Sequence, residues 1–186
     1  MILTGPQIIN VLREKLQFAA GRHLYGVLGS YANLARFEEE DLAHARLADG
    51  ARFPVPHNLN KVLLDNIGDD DLKRLGQDEA RRPQAVQSRL NQELDRVLGA
   101  LLHEQHFIIL KQIEMLFAFS LDLGVFRIRA SNQNHILLLL PGERRGDQVL
   151  LFHEAEARFQ RLLISNLIAD NHLWELGERE GEKGKR

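Results

Sequence analysis

The first half of the chain shows apolar residues at helical spacing, interrupted by one proline-rich break. The pattern predicts a first helix from about Pro6 to Ala20 and a second from about Arg22 to Leu47. Pro54 and Pro56 then force extended backbone. Beyond them we expect only short helices, near residues 59–66 and 69–75.

The longest pattern starts at Pro83 and continues to about Asp122. Its apolar residues alternate in steps of four and three, and Gly99 is the only glycine or further proline within it. The pattern predicts one long central helix. A helix of about 40 residues spans about 60 Å, which exceeds the diameter of a compact domain of this size. Part of it must therefore project, bend or pack on another chain.

Period-two alternation replaces the helical pattern after Gly124. Residues 126–131 alternate between apolar and polar, Asn132–Asn134 favours a turn, and His135–Leu140 is almost wholly apolar. We expect an antiparallel β-hairpin whose second strand is covered on both faces. Val149–Phe152 fits either a third strand or the start of a last helix, which ends near residue 176.

These elements predict a mainly α protein: a helical bundle with one long central helix and a small antiparallel β-hairpin of two or three strands before the last helix. Residues 1–50 form a helical pair, which we treat as a candidate separate lobe, and residues 51–82 connect it to the rest. Residues 83–176 hold the long helix, the hairpin and the C-terminal helix. The last ten residues, 177–186, contain only Gly, Glu, Lys and Arg and are expected to form a disordered tail.

Composition narrows the function classes. The chain has 44% apolar and 27% charged residues, an ordinary globular mixture. It has no cysteine, which excludes disulfides, cysteine-based metal sites and thiol nucleophiles and fits a reducing cytoplasm. The net charge of −2 argues against nonspecific wrapping of DNA. Neither a signal peptide nor a membrane-spanning segment is evident, so we expect a soluble cytoplasmic protein with no membrane insertion.

Histidines and carboxylates supply one candidate for metal chemistry. Diiron helical bundles place Glu-x-x-His motifs on facing helices, and this chain offers only a partial set of such residues. The weak metal candidates are Asp41, His44, His103, Glu104 and His106. Ordinary surface positions are the preferred interpretation. A metal-dependent helical-bundle enzyme therefore remains a minor alternative.

Other catalytic motifs are missing from the sequence. It contains neither Gly-x-Ser-x-Gly nor a Walker A run. Gly26 and Gly29 fall inside the predicted second helix and so form no phosphate loop. We therefore expect no enzymatic activity and no cofactor.

Arginines favour a second alternative, a nucleic-acid-binding component. Arg127 and Arg129 share one face of the predicted hairpin, as in the wing of a winged-helix domain, where arginine meets phosphate or the minor groove. A basic stripe at the start of the long helix extends the candidate surface: Arg81, Arg82, Arg89 and Arg96.

The leading hypothesis is a non-enzymatic interaction or adaptor subunit of a larger cytoplasmic protein assembly. Apolar helix faces and the hairpin would make its protein–protein contacts, by self-association or with a partner. The contact candidates are Phe107, Ile108, Met115, Phe119, Leu137 and Leu139. If these side chains are exposed they form the contact, and if they are buried they form the core.

Overall fold

The computed structural model describes residues 1–164 and 166–177. Within them the strands are β1 (Ile2–Leu3), β2 (Leu24–Gly29), β3 (His57–Asn58), β4 (Phe107–Lys111), β5 (His135–Arg145), β6 (Gln148–Leu151), β7 (Arg161–Leu162) and β8 (Leu173–Leu176). The α-helices are α1 (Gly5–Lys15), α2 (Tyr31–Arg36), α3 (Leu59–Ile67), α4 (Asp69–Asp78), α5 (Pro83–Glu104), α6 (Glu114–Ala118) and α7 (Gly124–Arg129). A π-helical turn, Phe37–Asp41, extends α2.

A parallel β-sheet organises the molecule. Its strand order is β1-β8-β2-β5-β4-β3, and each neighbouring pair in this order is parallel. The far end of β5 continues into an antiparallel ribbon with β6 and then β7. The protein is therefore an α/β protein, and the prediction of a mainly α bundle with a small hairpin is wrong.

Helices cover both faces of this sheet. On one, called the α1 face, helices α1 and α2 pack on strand residues such as Val27 and Leu139. On the other, called the α5 face, helices α3, α5, α6 and α7 pack on alternating residues such as Leu28 and Leu138. The apolar run in β5 is thus covered from both sides, as a central parallel strand requires.

The long central helix does not exist. Helix α5 ends at Glu104 and, after a link of two residues, the chain enters β4 at Phe107. With 22 residues, α5 spans about 33 Å, which fits within the domain. The length of α5 therefore gives no reason to expect a partner chain.

The hairpin is also wrong. Most of the residues predicted as its first strand lie in helix α7. Phe126 in this helix and Ala130, which caps its end, are buried one turn apart, while Ile128 is 74% exposed. The residues predicted as its second strand form β5, which pairs in parallel with β2 and β4. Parallel pairing needs a crossover rather than a tight turn.

Two further predicted helices are wrong, and three are confirmed. The predicted second helix contains β2, and the predicted last helix is replaced by β7, β8 and short turns, with Val149–Leu151 inside strand β6. The first helix is confirmed as α1, although it ends at Lys15, and the short helices near residues 59–66 and 69–75 are confirmed as α3 and α4.

One sheet joins the beginning and the end of the described chain. Strands β1 and β2 come from the first 50 residues, and β8 lies between them. The predicted disordered tail falls, from residue 178 onward, outside the described residues. No helix in the described part of the chain combines the length and apolarity needed to cross a bilayer.

Candidate binding site at the carboxyl edge of the sheet

The strand connections define a crevice between β2 and β5. Strand β2 leads into α2 on the α1 face, whereas the chain after β4 and β5 packs on the α5 face. Neighbouring strands whose connections diverge in this way form a topological switch point. Open α/β sheets bind their ligands there, outside the carboxyl ends of the strands.

Polar side chains from three connections meet at this crevice. The Tyr31 hydroxyl donates to Glu114 Oε1 at 3.1 Å. Asn60 Nδ2 donates to Glu114 Oε2 at 2.8 Å, and Asn60 Oδ1 accepts from the backbone N–H of Met115 at 3.1 Å. Each oxygen of the Glu114 carboxylate is thus held by a neutral donor, which fixes its position.

A second carboxylate closes the start of α2. Glu154 Oε2 accepts the backbone N–H of Tyr31 at 2.8 Å. Strand β2, which contains Gly26 and Gly29, does lead into a helix, contrary to the sequence-based placement of these glycines. The link, however, is Ser30 alone. The N–H group that would face an anion therefore already binds a carboxylate of the chain itself, and a phosphate loop is absent from this turn.

An apolar hollow opens beside Tyr31 and Glu114. Its volume is about 230 Å³. Four aromatic rings line it, with Ala118, Ala155 and Arg161 between them: Tyr31, Phe117, Phe152 and Phe159. Phe117 and Phe152 meet edge to face with centroids 5.3 Å apart. We call this feature the aromatic hollow.

The negative charge around the aromatic hollow affects the pKa of Tyr31. Burial is the largest cause that raises the pKa of Tyr31 to about 12, and the negative charges of Glu114 and Glu154 add to it. The phenol therefore remains a neutral donor at physiological pH. On the other side of Tyr31 a smaller hollow of about 190 Å³ contains Lys111, whose Nζ lies 2.6 Å from Glu38 Oε1.

Exposed apolar side chains continue from the aromatic hollow along the ribbon. Phe159, Leu162 and Ile164 are 51%, 55% and 60% exposed. Strand β7 pairs with β6 on one side only, and no strand of the described chain covers its other side. We call these three side chains and the open side of β7 the ribbon edge.

Four of the six contact candidates from the sequence are buried core residues, and two are partly buried. Phe107, Ile108, Leu137 and Leu139 lie in β4 and β5 and are buried. Met115 and Phe119 are partly buried against the cluster of the α5 face. The four buried residues therefore offer no free contact surface in this fold, and Met115 and Phe119 offer only part of theirs.

Three of the six arginine candidates form ion pairs with acidic side chains. Arg129 pairs with Asp95 at 2.8 Å, Arg89 with Asp71 at 3.8 Å, and Arg96 with Glu93. Arg81 and Arg82 lie exposed just before α5, and Arg127 is half-buried on α7 rather than on a hairpin. The wing-like arrangement that favoured nucleic acid is therefore absent.

The metal candidates lie apart. Asp41 packs against the backbone of Gly5, at the start of α1, and His44 follows it on the α1 face. His103 and Glu104 end helix α5 on the opposite face, and His106 bonds Asn134. No three histidine or acidic side chains of the described residues form a group that fits a metal ion.

Sequence reasoning missed a buried histidine cluster at the opposite, amino edge of the sheet. The Tyr25 hydroxyl lies 3.2 Å from His23 Nδ1 and 3.3 Å from His135 Nδ1. His172 approaches the same tyrosine, with ring centroids 4.8 Å apart. Only the parallel pairing of β2 with β5 reveals this cluster, because His23 and His135 are far apart in sequence.

Comparisons with protein-family models, with curated proteins and with solved structures gave no match to this chain. Function must therefore be inferred from the site itself.

Proposed function

We propose that the protein is a non-enzymatic interaction subunit that binds an extended segment of a protein partner along the ribbon edge. The observation that carries the proposal is the open side of β7 with three large apolar side chains exposed within six residues. Single exposed apolar residues are ordinary. Here Leu162 lies in the two-residue strand β7, and Phe159 and Ile164 flank it. Exposed apolar residues beside an unpaired strand edge are typical of a surface that adds a partner strand.

The carboxyl edge supports a binding role rather than phosphate chemistry. The start of α2 is occupied by Glu154, and the strand-to-helix link is a single residue. The chain has no cysteine and so forms no disulfide, which is consistent with the expected cytoplasmic location, where disulfides are rare.

Native mass spectrometry of tag-free protein purified gently from its own host tests the proposal. We expect species of higher mass made only of protein for the wild type. Leu162→Glu and Ile164→Glu should remain folded and lose those species, because a charge on the edge opposes strand addition. Ile128→Glu is the matched control, since it places the same charge on an exposed apolar position far from β7 in the chain.

Two results would contradict the proposal. If the wild-type protein is monomeric at every concentration, the proposed interaction with a partner does not occur. Equal loss of assembly in the Ile128→Glu control would show that the ribbon edge is not the contact.

A further inference from the structure

The aromatic hollow combines rings with negative charge. Glu114 forms one of its walls, and Glu154 lies on the far side of Tyr31. Neither carboxylate forms an ion pair with any basic side chain of the described residues. Because these hydrogen bonds come from neutral donors, both carboxylates keep their negative charge, and a bond to a cation would be stronger than a bond to a neutral donor.

Among the described residues of the lining, Arg161 is the one basic residue, and backbone carbonyl groups hold its guanidinium. Its Nη1 donates to the carbonyl oxygens of Arg158 and Gln160 at 2.7 and 2.8 Å. Within the lining, Glu114 balances Arg161. Glu154 adds a negative charge beside Tyr31, and Arg158 next to Phe159 pairs with Glu156 at 3.0 Å. These five charged groups together carry a net charge of −1. The site therefore attracts a cation even with Arg161 present.

One ring of the hollow already binds a cation. The guanidinium carbon of Arg158 lies 4.6 Å from the centroid of Phe159. The face of an aromatic ring attracts ammonium and guanidinium groups in this way, and several rings around one cavity are typical of sites for organic cations.

We propose that the aromatic hollow binds an organic cation, an alkylammonium or guanidinium head group, with Glu114 opposite its charge and the four rings around its carbon atoms. A volume of about 230 Å³ admits a single basic side chain or a small amine. The inference is independent of the ribbon edge, because the probes below need no protein partner.

Choline and its neutral isostere 3,3-dimethylbutan-1-ol form the matched pair of probes. Binding is measured by calorimetry and by the methyl resonances of Ala118 and Ala155, which line the hollow. We expect choline to bind about 10-fold more tightly than the alcohol, because only the cation gains from the rings and the carboxylate. Equal binding of the two probes, or no methyl shift with either, would overturn the proposal.

Glu114→Gln and Glu154→Gln test the role of the charge. Each removes one negative charge with little change in shape, and we expect each to weaken choline binding, Glu114→Gln by about 10-fold. Glu143→Gln is the control, because that carboxylate pairs with Arg145 outside the hollow. Unchanged affinity in both hollow variants would refute the assignment.

The capped amino acids N-acetyl-lysine methylamide and N-acetyl-arginine methylamide separate the two sources of such a head group. Tighter binding of either than of choline and butylamine assigns the hollow to a basic side chain of a protein. The reverse order assigns it to a free amine. If the protein binds the cation but its assembly is unchanged by Leu162→Glu, the cation site in the aromatic hollow is supported and the ribbon edge is refuted as the contact with the partner.

Discussion

The imidazole rings of His23 and His135 stack with their centroids 4.1 Å apart and 28° between their planes. The Tyr25 hydroxyl bonds Nδ1 of both rings. A hydroxyl has one hydrogen, so it donates to one ring and accepts from the other. Two protonated rings at this distance would repel each other, and the stack therefore requires that the pair does not carry two charges.

Acid should destabilise the fold through these histidines. Burial is the main cause that lowers the pKa of His135 from 6.5 to about 4, and the charges of His23 and His106 add to it. Because the unfolded chain binds the proton more readily, stability present above pH 6.5 is lost as the pH falls toward 4. We expect a loss of up to about 3 kcal/mol from His135, measured by urea unfolding between pH 7.5 and 4.5.

His135→Gln should flatten this pH dependence, since glutamine does not titrate. His44→Gln removes an exposed histidine, and its curve should run parallel to that of the wild type. The same slope in all three proteins would show that the stacked pair does not control acid stability.

Two glycine-to-alanine substitutions should change the stability of the fold in opposite directions. A Cβ on Gly26 in β2 would lie 2.7 Å from Leu173 Cδ1 and 2.8 Å from Ile168 Cδ1. Gly26→Ala should therefore cost about 1–3 kcal/mol through overpacking. Gly76 lies inside α4 with no atom within 4 Å of an added Cβ, and Gly76→Ala should add about 0.5–1 kcal/mol. Thermal unfolding of the pair measures both, and a stabilised Gly26→Ala would refute the close packing.

Arg96 should matter for stability rather than for nucleic acid. It pairs with Glu93, which is only 3% exposed, and its Nη2 donates to Asn66 Oδ1 at 2.8 Å. Arg96→Ala leaves a buried carboxylate without its cation. Its melting temperature should therefore fall well below that of Arg89→Ala, whose exposed pair with Asp71 contributes little. Equal melting temperatures would contradict this view of Glu93.

Truncation to alanine should distinguish a core residue from a residue on the contact surface. Leu137 is fully buried in β5, and Leu137→Ala should lower the free energy of unfolding by about 2–5 kcal/mol. Leu162→Ala changes an exposed leucine and should cost less than about 0.5 kcal/mol. A stable Leu137→Ala protein with altered assembly would return this position to the list of contacts.

Helices with polar boundaries were predictable, and buried parallel strands were not. Helix α1 follows the capping residue Thr4, whose N–H bonds Gln7, and α3 follows Asn58, which caps Lys61. Strands β2 and β4 are buried along nearly their whole length and carry no alternation. In a continuous apolar run every spacing occurs, so helical spacing there carries no information.

The candidate site was unpredictable for a different reason. Tyr31, Glu114, Phe152 and Phe159 come from separate connections, and only the parallel strand order brings those connections to one edge. The apolar character of β5 did predict cover on both faces, yet it did not reveal that the neighbouring strands run parallel. The side chains that form a site at the ends of the strands can therefore be identified only after the strand order is known.

The place of β8 in the sheet fixes an order of events during synthesis. Strand β8 lies between β1 and β2, so Ile2 and Leu3 have no neighbouring strand until Glu175 and Leu176 have left the ribosome. Until then β2 has one bare flank, which is where a chaperone would be needed. The sheet therefore closes last at the seam where the two ends of the described chain meet.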